Sequence, residues 1–319
     1  MRAIEPIDIG DIRAARDRIA SVVTRTPLLR LNVDAPAEVY LKLENLQPIG
    51  SFKLRGATNA IRQLAADALA GGVYTASAGN MAQGVAWGAR ELGVTCTVIM
   101  PDNAPRTKLD AVARLGAEIV KLPYDEWWQT LADHGRPGMS GTFIHPVADR
   151  AVMAGNGTIG LEIAEDLPDV DTVLVPFGGG GLVTGIATAI RALAPNARVF
   201  GCEVETSTPL RAALEAKRPV RVERTPSFVD GIGGRGVLDE MWPLVSTLID
   251  GALVSSIAET KSAVRLLVER ARVVVEGAGA ASVAPAMAGR AGGGKVVCVV
   301  SGGNIDVATL ADILSQPAQ

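Results

Sequence analysis

Short runs of β-branched and apolar residues alternate along this chain with segments of helical periodicity, and this alternation constrains the fold more than any other feature. Each run ends in a glycine or turn signal, as expected of buried strands. The predicted strands are 73–77, 96–101, 117–123, 171–177, 197–205 and 295–301. The predicted helices are 81–93, 105–116, 157–167, 182–194 and 259–272. Strands that alternate with helices predict parallel sheets flanked by helices, which is an α/β fold.

The alternation is interrupted between residues 124 and 150. This segment opens with a helical stretch and then becomes irregular, and it holds both histidines, His134 and His145, which we interpret as packing or capping residues. We therefore place a domain boundary near residue 146, with one parallel sheet before it and a second one after it. A second irregular segment, 218–244, is a candidate for a loop that reaches a functional site.

Composition narrows the class of function. A net charge of −3 and a pI near 5.6 give no basic face for nucleic acid or anionic lipid. No stretch reaches the ~18 apolar residues that a membrane span requires, and the N-terminus lacks the apolar core of a signal peptide. Cys96, Cys202 and Cys298 lie far apart in or beside apolar runs, so we expect buried thiols in a reducing cytoplasm. We therefore expect the protein to act on a small molecule.

Four consecutive glycines, 178–181, follow the predicted strand 171–177 and open the predicted helix 182–194. Backbone N–H groups at a helix start converge on an anion, and the helix dipole favours negative charge there. The run is not a GxxxxGK[ST] loop, whereas a dinucleotide site stays open because Glu203 and Glu205 lie about twenty residues further on. A tight turn is the structural alternative. Since each glycine destabilises a helix start by up to ~1 kcal/mol relative to alanine, the run favours phosphate binding.

Two further strand-to-helix junctions carry small polar residues. Residues 77–80 read SAGN and follow the strand 73–77, and residues 301–304 read SGGN and follow the strand 295–301. Taken alone, the first is an ordinary helix cap. All three junctions lie at carboxyl ends of predicted parallel strands, where ligands of such sheets bind.

A lysine, Lys53, lies in the turn-rich stretch ENLQPIGSFKLRGA, residues 44–57, just before another helical segment. By itself it reads as a solvated surface lysine. A phosphate cradle, a lone lysine and no metal-ligand cluster together indicate a phosphorylated cofactor that forms an imine, and pyridoxal phosphate is the usual one.

The motifs SFKLRGA, SAGNMAQG, GGGG and SGGN, in this order and spacing, resemble those of fold-type II pyridoxal-phosphate enzymes of the serine/threonine dehydratase (ammonia-lyase) and serine racemase family. The resemblance covers nearly the whole chain and implies a two-domain, tryptophan synthase β-like fold. The large domain would comprise residues 1–70 and 147–319. The small domain, 71–146, would move over the cleft. A cytoplasmic homodimer is also implied.

The resemblance implies a role for each site residue. Lys53 would hold the pyridoxal 5'-phosphate aldehyde as a Schiff base and would act as the catalytic base. The phosphate would be held by Gly178, Gly179, Gly180, Gly181 and Leu182. The ring and imine would be contacted by Phe52, Asn80, Gly231, Glu276 and Ser301. The substrate carboxylate would be held at Ser77, also counted as catalytic, and at Ala78, Gly79 and Asn80, with Met81 beside them.

The implied activity is α,β-elimination that converts threonine, serine or a bulkier 3-hydroxy amino acid, such as phenylserine or hydroxyaspartate, to a 2-oxo acid and ammonia. Ala78 stands where serine racemases carry a second serine, which argues against efficient racemisation. Met81 replaces the usual histidine and either packs the helix or alters the pocket for a bulkier substituent. We expect no metal, since 205–210 lacks the family's aspartate ligand. A racemase, a β-replacement enzyme and a catalytically silent binding protein remain alternatives.

Overall fold

The computed structural model describes residues 4–104 and 106–316, which form two sheets flanked by helices. The strands are β1 (Leu28–Arg30), β2 (Glu38–Leu43), β3 (Val73–Ala76), β4 (Cys96–Pro101), β5 (Glu118–Leu122), β6 (Thr142–Phe143), β7 (Thr172–Pro176), β8 (Arg198–Val204), β9 (Gly251–Ser255) and β10 (Lys295–Val300). The helices are α1 (Ile9–Ile19), α2 (Lys53–Arg62), α3 (Ala66–Ala70), α4 (Asn80–Glu91), α5 (Arg106–Ala113), α6 (Tyr124–Ala132), α7 (Arg150–Asp166), α8 (Gly181–Leu193), α9 (Pro209–Ala216), α10 (Trp242–Leu248), α11 (Ile257–Leu266), α12 (Gly277–Ala280), α13 (Val283–Met287) and α14 (Val307–Ser315).

The larger sheet has the strand order β1-β2-β10-β7-β8-β9, and the smaller sheet has the order β5-β4-β3-β6. Among the described strands, every paired neighbour is parallel except β1 with β2. The prediction of parallel sheets is therefore confirmed apart from this edge pair. A short connection, residues 31–37, joins β1 to β2, and a connection of that length permits antiparallel pairing only.

All six predicted strands are present, and the predicted helices differ from the observed ones mainly at their ends. Helix α7 begins seven residues before the predicted start at 157, because Asp149 accepts hydrogen bonds from the N–H groups of Ala151 and Val152 and so caps it. Helix α11 ends at Leu266 and continues as a π-helical turn, Leu267–Ala271. Residue 105, where a helix was predicted to begin, lies outside the described residues.

The strands of the smaller sheet all lie between Val73 and Phe143, and those of the larger sheet lie outside this range. Residues alternate between the two faces of each sheet, and helices cover an apolar cluster on each face of the larger one. The division into two domains and a motion between them stay predictions.

The three cysteines are buried and unbridged, as predicted. Within residues 4–104 and 106–316, no helix is both long enough and apolar enough to cross a membrane.

Four buried charged residues hold helix α2 in place. The Arg55 guanidinium forms paired hydrogen bonds to Glu44, at 2.8 Å each, and to Glu162, at 2.6 and 2.9 Å. The Lys42 ammonium lies 2.5 Å from Glu162, and all four side chains are at most 5% exposed. The network is neutral and ties the first turn of α2, which begins at Lys53, to β2 and α7.

Candidate active site

A cleft of about 710 Å³ opens where β3, β7 and β10 end, and residues from both halves of the molecule line it. The structure brings together every site residue that the sequence predicted. They are Phe52, Lys53, Ser77, Ala78, Gly79, Asn80, Met81, Gly178, Gly179, Gly180, Gly181, Leu182, Gly231, Glu276 and Ser301. The segment 218–244 also reaches the cleft, through Ser227, Phe228 and residues 230–232.

Lys53 is the first residue of α2, and its side chain points into the cleft wall formed by residues 146–147. Its Nζ donates a hydrogen bond to the carbonyl oxygen of Pro146, at 2.8 Å, and lies 5.1 Å from the ring centroid of Phe52. Burial lowers the pKa of Lys53 to about 8. About a tenth of this amine is therefore uncharged at pH 7, far more than for an ordinary lysine, and the uncharged amine is the form that attacks an aldehyde or accepts a proton.

The turn before Lys53 is pinned to the SGGN junction. The N–H of Phe52 donates to the Ser301 carbonyl at 3.0 Å, and the N–H of Gly303 donates to the Gly50 carbonyl at 2.8 Å. Ser51 and Gly302 form an isolated antiparallel bridge. These backbone hydrogen bonds fix the direction in which Lys53 leaves the turn, so the end of β10 and the lysine form one rigid unit.

The glycine run turns from β7 into α8 with backbone that larger residues do not fit. Gly180 has φ +101°, in the region that favours glycine, and a Cβ at Gly181 would lie 2.7 Å from the Val147 carbonyl oxygen. No side chain of a described residue caps the start of α8. The first N–H groups of this helix therefore face the cleft without an intrahelical acceptor, which is the arrangement that holds a phosphate.

We predict that Gly181→Ala lowers both cofactor affinity and stability, because its Cβ would displace the backbone of Val147. The free energy of unfolding should fall by about 1–3 kcal/mol. Gly178→Ala is the matched control, since its Cβ would meet nothing closer than 3.6 Å. Equilibrium dialysis with pyridoxal phosphate and urea denaturation measure the two effects. Equal effects of the two variants would contradict the role of the close approach at Gly181.

Asn80, Glu276 and Asn304 connect the SAGN and SGGN junctions with the start of α12. Asn80 donates to Glu276 Oε1 at 2.8 Å and accepts from Asn304 Nδ2 at 2.8 Å. Burial, together with the nearby Asp230 carboxylate, raises the pKa of Glu276 to about 7. A carboxyl group with this pKa is partly protonated near neutral pH.

An ion pair that the sequence did not predict lies at the cleft. Lys108 Nζ of α5 is 2.5 Å from Asp230 Oδ2, and both residues line the cleft. Lysine and aspartate are common surface residues, and these two lie 122 positions apart in the sequence. Their pairing at the cleft is therefore visible only in the structure. The pair joins the smaller-sheet half of the molecule to the segment 218–244.

His145 stabilises the turn that contains Pro146, the residue that contacts Lys53. Its Nδ1 accepts the N–H groups of Val147 and Ala148, at 3.0 and 2.7 Å, and its ring stacks on His134 with 4.4 Å between centroids. His134 Nε2 lies 2.6 Å from Glu240 Oε1. Ligand atoms of the two histidines and Glu240 lie within 4.8 Å of one another, close enough for a metal ion. The hydrogen bonds at His145 hold the turn that presents Pro146 and Val147 to the cleft.

These features define an enzyme that uses a carbonyl cofactor with a phosphate group. Residues 19–302 match the family model described as pyridoxal-phosphate dependent enzyme, and the chain belongs to this family. The predicted family resemblance and the predicted cofactor are thereby confirmed. The lysine amine, the uncapped helix start and the polar ends of β3 and β10 fit the aldehyde, phosphate and ring of that cofactor.

Several relatives whose names state an activity are similar to this chain over nearly its whole length. The L-threonine ammonia-lyase of Thermotoga maritima is 41% identical over 316 residues, which cover 97% of this chain and 79% of that protein. The catabolic L-threonine dehydratase of Staphylococcus aureus strain N315 is 36% identical over 323 residues, which cover 97% and 92%. The structure of maize serine racemase matches with a TM-score of 0.90 and 31% identity over 97% of each chain.

Proposed function

We propose that this chain is an ammonia-lyase that converts a 3-hydroxy amino acid, such as threonine, serine or a bulkier analogue, to a 2-oxo acid and ammonia. One observation carries the proposal. The amine of Lys53, with a pKa lowered by burial to about 8, shares a cleft with the uncapped glycine turn and the SAGN loop. The threonine ammonia-lyase and dehydratase named among the relatives support the same reaction.

The residues that would hold the cofactor follow from their positions. Lys53 would hold its aldehyde, and the N–H groups of residues 178–182 would hold its phosphate. Its ring would contact Phe52, Asn80, Gly231, Glu276 and Ser301. The bound cofactor withdraws electrons from the α-carbon of the amino acid and so makes the α-proton acidic.

The chain supplies the binding and proton-transfer steps. The N–H groups at the start of α4 bind the substrate carboxylate, and Ser77 Oγ keeps that loop in shape by accepting the Gly79 N–H at 3.2 Å. The uncharged amine of Lys53 accepts the α-proton. The β-hydroxyl must be protonated as it departs, because hydroxide is a poor leaving group. Ala78 offers no hydroxyl for proton return on the opposite face, so elimination is favoured over racemisation.

The same proposal includes a homodimer, a cytoplasmic location and movement of residues 71–146 over the cleft. The Lys108–Asp230 ion pair joins that range to the opposite cleft wall, so it would have to break for the cleft to open. Size-exclusion chromatography with light scattering tests the dimer.

A substrate panel tests the reaction. Purified protein with pyridoxal phosphate is incubated with each stereoisomer of serine, threonine, phenylserine and 3-hydroxyaspartate, and the 2-oxo acid and ammonia are measured. We expect equimolar release of both products from at least one compound. The proposal is wrong if none releases an oxo acid. Chiral analysis of recovered amino acid distinguishes a racemase.

A further inference from the structure

We infer that the ring of His145 sets the spacing between the two groups that anchor the cofactor, which are the amine of Lys53 and the glycine run 178–181. His145 does not line the cleft, so it is a positioning residue that acts through the turn formed by residues 145–148. The sequence indicated only a packing or capping role for it. The inference concerns the binding of pyridoxal phosphate, so it goes beyond the proposed function and does not depend on which amino acid is converted.

Two consecutive residues of this turn contact the two anchors. The carbonyl oxygen of Pro146 accepts the hydrogen bond of Lys53 Nζ at 2.8 Å. Val147 lies against the glycine run, where a Cβ at Gly179 would be 2.6 Å from Val147 Cγ2 and a Cβ at Gly181 would be 2.7 Å from the Val147 carbonyl oxygen. A shift of the turn would therefore change the distance between the lysine amine and the glycine run.

The turn keeps its shape through hydrogen bonds to the His145 ring. His145 Nδ1 accepts the N–H groups of Val147 and Ala148, and both His145 and Ala148 are buried. A buried N–H group that loses its acceptor cannot turn to water instead, so its loss is unfavourable. The backbone of residues 147–148 therefore follows the position of this one ring nitrogen.

The same hydrogen bonds decide which nitrogen of His145 carries the proton. A neutral imidazole has one donor and one acceptor nitrogen, so an accepting Nδ1 places the proton on Nε2. A protonated nitrogen does not bind a metal ion, so His145 would have to release the turn in order to join His134 and Glu240 as a ligand. His134 instead pairs with Glu240 and stacks on the His145 ring. The cluster therefore supports the turn and does not form a metal site.

The spacing of the anchors matters because of the shape of the cofactor. Pyridoxal phosphate carries its aldehyde and its phosphate arm at neighbouring positions of one rigid ring, so both anchors engage together only when their separation matches. Two contacts made by one ligand strengthen each other, because the second forms at a high effective concentration. Pyridoxal, which lacks the phosphate, uses the lysine anchor alone. A change in spacing should therefore weaken binding of pyridoxal phosphate and leave binding of pyridoxal almost unaffected.

Two substitutions separate the acceptor from the ring. His145→Asn keeps an acceptor, since its Oδ1 takes nearly the position of Nδ1, whereas His145→Phe keeps a ring and removes the acceptor. His134→Asn is the matched control, because it removes the stacked ring, and asparagine tolerates the φ of 55° found at His134. Absorbance titration of the imine band gives the dissociation constants for pyridoxal phosphate and pyridoxal, and circular dichroism checks that each variant is folded.

We expect His145→Phe to weaken pyridoxal phosphate binding roughly tenfold or more and pyridoxal binding less than about threefold. His145→Asn and His134→Asn should each stay within about threefold of the native protein for both ligands. The single remaining histidine of His134→Asn is His145. Its ¹⁵N NMR spectrum at mildly alkaline pH should show an unprotonated Nδ1 and a protonated Nε2.

Equal losses for pyridoxal phosphate and pyridoxal in His145→Phe would overturn the inference, because they would show local damage at Lys53 and no change of spacing. It is also overturned if His145→Phe binds both ligands like the native protein, if either asparagine variant loses as much as His145→Phe, or if Nδ1 carries the proton. If a variant does not fold, the NMR spectrum of the native chain still decides which nitrogen accepts. None of these measurements uses turnover, so the inference and the proposed function fail separately.

Discussion

Replacement of Lys53 by alanine is expected to lower the rate of oxo acid release by roughly 10³-fold or more, the largest effect of any single substitution in the cleft. Lys53 is the proposed attachment point of the cofactor and the proposed base, so its loss removes both functions. Its amine is held by the Pro146 carbonyl and by the turn pinned to Ser301. An arginine at position 53 would remain charged and is not expected to restore activity.

The attachment is measured separately from activity. Borohydride treatment of the loaded protein, followed by peptide mass mapping, should place the cofactor mass on Lys53. The matched control is Lys108→Met, which removes the other lysine that lines the cleft and should leave the label in place. Label on Lys108, or label retained in Lys53→Ala, would contradict the assignment.

The sequence predicts those parts of the fold that depend on local pattern. The buried strands β3, β4, β5, β7, β8 and β10 are apolar runs that end in turn signals, and all of them were found. Four strands were not predicted. β1 and β6 are only three and two residues long, and β9 is partly exposed along most of its length. β2 carries Glu38 and Lys42, and the charge on Lys42 is paired with Glu162, which lies far along the chain.

The candidate site likewise has a part that the sequence predicts and a part that it does not. Its motifs end strands, and the ends of parallel strands meet at one edge of a sheet, so Ser77, the glycine run and Ser301 could be placed together from sequence. Trp127, Lys108 and Asp230 carry no local signal. Their position at the cleft depends on how α5, α6 and the segment 218–244 pack, and the sequence pattern does not specify that packing.

Arg55 illustrates the same limit, although it lies inside the motif SFKLRGA. It pairs with Glu44, eleven residues away, and with Glu162, 107 residues away. A buried arginine without these carboxylates would be strongly unfavourable, and neither partner is recognisable from spacing. The sequence predicted the helix that contains Arg55, but nothing in the sequence explained a charged residue at this position.

Arg55→Met is expected to lower the free energy of unfolding by about 3–5 kcal/mol, the largest stability loss among the variants considered. Burial by itself would raise the pKa of Glu44, but the Arg55 charge and hydrogen bonds outweigh it and hold that pKa below its usual range. Without Arg55, the Glu44 and Glu162 carboxylates share only the ammonium of Lys42. The buried network then carries a net negative charge that water cannot screen.

Urea denaturation of the cofactor-free protein measures the loss, with Arg211→Met as the matched control. Arg211 pairs with Glu215 on the surface, where both side chains are more than half exposed, and its removal should change stability by less than about 1 kcal/mol. Because the folded-state pKa of Glu44 is lowered, its stabilising effect is complete above the ordinary carboxyl pKa and is lost as the pH falls through the lowered value. Glu44→Gln in the Arg55→Met background removes one uncompensated charge and should recover part of the stability. If Arg55→Met loses no more than Arg211→Met, the buried network does not stabilise the fold, and another contact must hold the first turn of α2 and Lys53 in place.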